Sequence, residues 1–495
     1  MLAVAAGLRF GAIGAGAPYR IANDEPFVVG MALKVMQSGD FNPHFFHYGG
    51  LSIYLHTLVA ICRFLLGAVE GQWASLNGIW IGDFLTSARI VTAALGTLTV
   101  FVVYRAGLRL GANAALMAAF VMAVLPQHVR ESHFALTDTP LTLFVALALL
   151  LSLRAAEQAR LSAVVLAGVA VGLAASVKYN GALALVMPMT AALVLPAGAR
   201  LRGLGLALAG AAGGFLLTSP YTVLDLPGVL NGFADLSKSY NQTRSFWDAA
   251  FTYLKYLRGW FAWTAVTPLN AGYPAIALTV IGGVIVARRK DMPLTRAGAI
   301  ILLVFPVIWF VMLSRQGSLQ YGRYLLPLAP MLSLCLAATV IAAWNWSMRM
   351  DTAWRWAVRT ALVAVLVLPT GSAAGWVRDH ARPRTEELAS AWLVREARAG
   401  QPVVVEAAAL LLPPSINVVR VNRLVDQPLS AYVEQGAVYL VTTSGETDPY
   451  FARPEAHARE LDAYRQLVAR TEPVATFLAG ADALGPRISI MRVRP

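Results

Sequence analysis

Asn23-Asp24-Glu25-Pro26, followed by Gly39-Asp40-Phe41-Asn42-Pro43-His44-Phe45-Phe46-His47-Tyr48, stands directly after the first apolar segment of a very apolar chain. Ionisable groups at the edge of a bilayer are expensive to hold, so an adjacent carboxylate pair there is more often functional than decorative. Working outward, the rest of the chain reads as a scaffold. It holds this loop at a membrane surface and brings a second carboxylate, Asp138, up to it.

The bulk composition supports that reading. Of 495 residues, 57% are hydrophobic and 14% charged, and the mean hydropathy is +0.60. A soluble chain carries roughly 25% charged residues, so this is a polytopic membrane protein. A net charge of +13 would suit a nucleic-acid binder. Arg and Lys, however, cluster in short loops between apolar segments, which is the positive-inside pattern, and no nucleic-acid partner is expected. Cys62 and Cys335 lie far apart in apolar stretches, which supports neither a disulfide framework nor a cysteine metal site. There is no cleavable signal pattern. Residues 1–17 read as a first spanning helix, slightly short and with Arg9 inside it, which raises the suspicion that a few residues are missing from the start.

A spanning helix needs about 20 apolar residues. Candidates lie near 1–17, 51–69, 86–108, 112–126, 138–153, 161–177, 181–196, 203–219, 271–287, 297–314, 324–344 and 356–374. The cationic groups at Arg105/Arg109, Arg154/Arg160, Arg200/Arg202, Arg288-Arg289-Lys290 and Arg349/Arg355 are expected on the cytoplasmic side. All segments alternate correctly about them except 51–69, which is therefore expected to be an interfacial or re-entrant helix. Eleven spanning helices remain, with the amino terminus inside. Loops 18–85, 127–137 and 220–270 and the tail then share the outer face, as parts of a mainly α membrane domain over 1–375.

Pro26–Ser38 has an amphipathic pattern that Gly39 would end. Loop 220–270 is rich in aromatics (Tyr240, Trp247, Phe251, Trp263) and is expected to lie along the membrane, as a cover or a plain aromatic belt. From 376 to 495 charge becomes dense and balanced. Short β-like runs at 402–406, 418–421, 438–442 and 488–493 alternate with helical stretches at 386–399 and 454–469, giving a small soluble α/β domain.

The chemistry-bearing residues each have a bland alternative. In Asp24-Glu25 one carboxylate can face a reaction centre while the other binds a cation; equally, Asn23 or Asp24 could cap the helix that starts at Pro26. Asp138, after Arg130, Glu131 and His133, could also be only a helix N-cap before Pro140. Lys178-Tyr179-Asn180 interrupts an apolar stretch, where a phosphate or carboxylate would partner the lysine or the headgroups would receive it. Arg323-Tyr324 lies on the outer side against the positive-inside trend, which favours anion binding. His44 and His47 suit phosphate donation or, more weakly, metal ligation.

Taken together, Asp24-Glu25 after a first helix, the Asn42-Pro43-His44-Phe45-Phe46-His47-Tyr48 loop, Thr137-Asp138-Thr139-Pro140-Leu141 and Arg323-Tyr324-Leu325-Leu326-Pro327 resemble the GT-C glycosyltransferases. The nearest branch is that of bacterial protein O-mannosyltransferase-like enzymes of glycosyltransferase family 39, and the resemblance covers about residues 1–345. It implies a polyprenyl-phosphate-linked sugar donor, inverting transfer at the outer face of the bacterial inner membrane, Asp24 as catalytic base with Glu25 beside it, and Asp138 as the second-loop acidic residue. It also implies substrate binding by His44, His47, Tyr48, His133, Lys178, Tyr179, Arg323 and Tyr324, with Lys178 and Arg323 on the donor phosphate. No organic cofactor is implied, and a divalent metal stays open. Where eukaryotic members have His-Pro-Pro-Leu, this chain has Asn42-Pro43-His44 and Tyr48-Gly49-Gly50-Leu51. The acceptor is therefore open between a protein, a lipid and a glycan. The competing class is a transporter or flippase, which calls for ionisable groups at the midplane and inverted repeats rather than carboxylates at helix ends.

Overall fold

In the computed structural model, the described residues are 1–22, 24–239, 244–260, 272–288, 293–316, 319–398, 400–406 and 410–493. Asn23, Tyr240, Trp263, Arg289 and Lys290, named above, lie outside them. The chain divides into two units, one of Met1–Ile13, Asp24–Gln72 and Ser87–Val377, the other of Gly14–Asn23, Trp73–Thr86 and Arg378–Pro495.

The apolar runs become helices. α1 (Leu2–Phe10) precedes the first loop, where a π-helical turn over Pro26–Gly30 runs into α2 (Met31–Ser38). Then come α3 (Gly50–Val69), α4 (Leu85–Gly107), α5 (Ala112–Val124), the short α6 (Pro126–Glu131), α7 (Asp138–Gln158) and α8 (Leu161–Val177). A 3-10 turn over Tyr179–Leu185 feeds α9 (Val186–Leu193), followed by α10 (Ala197–Thr218), α11 (Tyr221–Leu224), α12 (Leu226–Ser239) and α13 (Phe246–Gly259). α14 (Gly272–Arg288), α15 (Arg296–Ser314), a 3-10 turn over Gly322–Leu328, α16 (Ala329–Ser347) and α17 (Thr352–Ala381) complete the series. Among the described residues, seven helices are long and apolar enough to cross a membrane, by length and composition.

Two segments depart from expectation. The first helix covers only Leu2–Phe10 of 1–17, because the glycine-rich run 11–16 turns instead of continuing it. Arg9 at its end is fully buried and donates to the Ala5, Met122 and Ala123 carbonyls, so α5's C-terminal oxygens receive a cation. The second is 181–196, which opens as the 3-10 turn over Tyr179–Leu185 before the short α9, whereas α3, expected to be interfacial or re-entrant, is an unbroken helix of 20 residues. Elsewhere the helix limits fall close to the apolar runs, and α8 coincides with 161–177.

α8 and α10 pack through small residues. A Cβ on Gly168 or Gly172 would overlap the Ala207 or Ala211 carbonyl, and one on Gly210 or Gly214 would crowd Val165 or Val169. This is small-xxx-small packing, in which dispersion and close backbone approach replace the hydrophobic effect. Gly172→Leu is expected to cost at least about 1–3 kcal/mol by forcing these helices apart, read as a lower unfolding temperature in detergent.

α12 and α13 each present an exposed apolar stripe, Leu226, Leu230 and Phe233 on one, Trp247, Phe251 and Leu254 on the other. Such stripes suit helices that lie in an interface.

The second unit contains α18 (Thr385–Glu396), β1 (Pro402–Glu406), β2 (Asn417–Val421), α19 (Leu429–Glu434), β3 (Tyr439–Thr443), α20 (Ser444–Ala452), α21 (Ala458–Arg470), β4 (Thr471–Phe477) and β5 (Ile488–Val493). The sheet order is β2-β1-β3-β5-β4. β1 is parallel to β2 and β3, and β5 is antiparallel to β3 and β4. Alternation sends Val403 and Val405 to a core with Leu393 of α18, and Val404 to one with Tyr464 and Leu467 of α21. Two pieces of the first loop belong to this unit as well. The Arg20 guanidinium reaches Glu387 at 3.2 Å and His380 at 2.9 Å, and Trp73 stacks on Phe84 at 5.2 Å.

Candidate active site

The turn before Pro26 sends its two carboxylates in opposite directions. Asp24 spends its carboxylate on the Arg323 guanidinium, not on helix-capping amides. Glu25 turns inward, fully buried, and takes Arg89 Nε and Nη2 on its two oxygens, both at 2.8 Å. The Ala135 amide also donates to it, at 3.0 Å.

Asp138 opens α7, where the helix start fixes its backbone. Its side chain makes no cap hydrogen bond but accepts from Lys178 Nζ at 3.1 Å and faces Arg323 Nε at 3.5 Å. That second contact is an ion pair too long for a hydrogen bond, and Arg323 Nε is buried without a hydrogen-bond acceptor. Lys178 sits in extended backbone between α8 and the 3-10 turn, which breaks the helix and releases the side chain towards α7. The result is an alternating row, Asp24–Arg323–Asp138–Lys178, in which all but Asp138 keep some solvent exposure.

Aromatic rings surround the cations. Tyr324 lies 4.3 Å from Lys178 Nζ and Tyr321 lies 4.6 Å from the Arg323 guanidinium carbon. Tyr48 is 6.0 Å from Lys178, and the Tyr179 hydroxyl donates to the Tyr48 carbonyl at 3.0 Å. Asp24, Asp138, Lys178, Arg323, Tyr48, Tyr179 and Tyr324 thus come together from segments up to 299 residues apart.

The three histidines of the expected set make contacts of their own. His133 is buried with its ring nitrogens 2.8 Å from the Val129 and Gly11 carbonyls and its ring 4.7 Å from Trp376. Burial pushes its imidazole below the usual range, against the two carbonyl acceptors, which favour the charged form. His44, at φ +47, turns to Asp40 at 3.0 Å and Asp225 at 3.7 Å. The Asn42 amide and His44 hold the Asp40 carboxyl below its ordinary value. His47 packs on Phe45 at 4.9 Å. Among the described residues no group of His, Cys, Asp and Glu is arranged to hold a metal ion.

Arg89 was not read from the sequence, although an arginine inside the apolar run 86–108 signals a buried partner. Glu131 was noted only as a polar neighbour.

The family model for dolichyl-phosphate-mannose-protein mannosyltransferases matches residues 58–223, about one third of the chain. Among solved structures, ArnT from Cupriavidus metallidurans bound to undecaprenyl phosphate aligns with a TM-score of 0.57 at 15% identity, covering 100% of this chain and 98% of that one. Its apo state gives 0.58 at 16% identity, with the same coverage. The archaeal oligosaccharyltransferase AglB from Archaeoglobus fulgidus, in complex with an inhibitory peptide and a dolichol-phosphate, gives 0.52 at 14% identity over 98% of this chain and 73% of that one. The fold is that of the GT-C membrane glycosyltransferases. No curated protein matches by sequence. At these identities the likeness is one of fold. Within the GT-C fold it is the row of Asp24, Arg323, Asp138 and Lys178 that bears on chemistry.

Proposed function

We propose that this chain is an integral-membrane glycosyltransferase that moves a sugar from a polyprenyl-phosphate donor to an acceptor hydroxyl at the outer membrane face, with inversion. The observation that carries the reading is the alternating row itself, which puts a partly exposed carboxylate beside two partly exposed cations. Two proteins of the same fold hold undecaprenyl phosphate and a dolichol-phosphate, which supports a lipid-linked donor. Clustering of Arg and Lys in the opposite loops supports an extracytoplasmic site.

The donor phosphate takes the Arg323 guanidinium, whose Nε makes no hydrogen bond, and the two N–H bonds that Lys178 does not give to Asp138. Drawing Arg323 towards phosphate leaves Asp24 less neutralised, and so a stronger base. The acceptor oxygen then attacks the anomeric carbon from the face opposite the phosphate, and its proton passes to Asp24. The carbon–oxygen bond to phosphate breaks with its electron pair, and the resulting polyprenyl phosphate dianion stays opposite the two cations. Asp138 holds Lys178 and faces Arg323, which sets the spacing of both. Glu25 and Arg89 fix the turn from which Asp24 projects.

Membranes containing the protein are offered a panel of radiolabelled polyprenyl-phosphate sugars with peptide, lipid and glycan acceptors. Consumption of one donor, with label moving to one acceptor class, is the expected result. If every donor survives, the glycosyltransferase reading fails and uptake into vesicles becomes the next assay. Lys178→Met removes one charge-assisted contact of about 1.5–3 kcal/mol, so kcat/KM for the donor should fall by about ten- to hundredfold.

A further inference from the structure

A third carboxylate lies on the helix that packs beside the row. Glu131 ends α6 with its side chain only 5% exposed. Gln127 Nε2 donates to its Oε1 at 2.7 Å, and the Arg130 guanidinium stands 3.7 Å from the same oxygen. α6 packs against the Gly322–Leu328 turn that carries Arg323. The charged groups whose fields reach Glu131 are Arg130 on its own helix, Asp138 at the start of α7, Arg323, and Asp24 before the Pro26 turn. Asp24 and Asp138 thus pair with Arg323 and Lys178, while Glu131, buried on the helix next to the Arg323 turn, has only the half-exposed Arg130 within ion-pair distance among the described residues.

We propose that Glu131 is a positioning residue for the donor, neutral when the donor phosphate binds and, once ionised, a competitor for Arg323 that repels that phosphate. This rests on the polyprenyl-phosphate reading above.

Burial pushes the Glu131 carboxyl up to about 7; Arg130 and Arg323 oppose the rise, and Asp138 and Asp24 add to it. A sugar–phosphate–polyprenyl diester keeps a single negative charge between about pH 6 and 9, so it contributes no titration of its own in that window. An anion placed beside a carboxyl favours the protonated form. By linkage, donor affinity is then full below about pH 7 and declines as pH rises through that value. Ionised Glu131 would place a third negative charge beside Arg323, and the incoming phosphate would have to displace it.

The probe is undecaprenyl methyl phosphate, a diester with no transferable sugar, titrated against the full-length protein in detergent by tryptophan fluorescence. The wild type should bind about tenfold more weakly at about pH 8.5 than at about pH 6. Glu131→Gln, which keeps the shape and cannot ionise, should reduce that ratio to less than about twofold. Gln127→Leu removes a donor that favours the ionised carboxylate, so its affinity midpoint should move to higher pH. Should Glu131→Gln fail to fold, the shift in Gln127→Leu carries the test. A Glu131→Gln protein with the wild-type pH dependence, or a wild type whose affinity does not change with pH, overturns the role of Glu131 and leaves the donor reading standing. A wild type that neither binds the diester nor consumes any donor of the radiolabelled panel overturns both.

Discussion

Asp24→Asn is expected to lower the rate of sugar transfer by about 10²–10⁴ while changing donor affinity little. The magnitude is that of removing a positioned general base. The carboxamide keeps the size of the side chain and an oxygen for the Arg323 guanidinium, so the row Asp24–Arg323–Asp138 retains its geometry. What disappears is the capacity to accept the acceptor's proton. Asp138→Asn should behave differently, because Asp138 engages both Lys178 and Arg323. Losing its charge frees both cations to drift, and donor affinity should change along with turnover. Steady-state kinetics with one radiolabelled donor separate the two: a loss confined to kcat for Asp24→Asn, and a mixed kcat and KM effect for Asp138→Asn. Transfer that persists near the wild-type rate in Asp24→Asn would remove it from the role of base.

The contrast shows which parts of the site could be read before the structure. Asp24 and Asp138 were legible because each is a carboxylate at the end of an apolar helix, where burial without purpose is costly. Lys178 and Arg323 were legible for the same reason with the sign reversed. Several apolar runs, such as 112–126, 161–177 and 271–287, gave their helices within a few residues, whereas 1–17 ends at Phe10 and 356–374 extends to Thr352–Ala381. What could not be read was direction. Nothing in the spacing of Arg130-Glu131 says that the glutamate is buried while Arg130 remains half-exposed. The sequence likewise does not announce that the left-handed backbone at His44 brings its ring to Asp40 and Asp225. β4 was missed because Pro473 interrupts its pattern, which an edge strand tolerates. The grouping of Gly14–Asn23 and Trp73–Thr86 with the C-terminal residues depends on contacts such as Arg20–Glu387, 367 residues apart, which no local pattern announces.

The second large effect belongs to the pair that makes Asp24's position possible. Glu25 and Arg89 are both fully buried, joined through two parallel hydrogen bonds of 2.8 Å. Removing one partner leaves the other charge in a low-dielectric interior, so Glu25→Gln and Arg89→Met should each destabilise the protein by about 3–5 kcal/mol. Glu25→Gln also weakens the acceptor of the Ala135 amide, loosening the segment that leads into Asp138. Replacing both partners, as in Glu25→Leu with Arg89→Met, removes the stranded charge, and well-packed apolar substitutes of similar volume often restore the stability of a buried pair. Stability and catalysis should then part company. Glu25 ties the Asp24 turn to α4 and to the loop before Asp138, and an apolar pair reproduces the packing without the directional bonds. The double variant should therefore recover most of the unfolding temperature in detergent while its turnover stays well below the wild type. If turnover returns together with stability, the pair is a structural filler and Asp24 is placed by the Pro26 turn alone. If neither returns, the Ala135 contact dominates, and a Glu25→Gln protein should then show the same loss of turnover as the double variant.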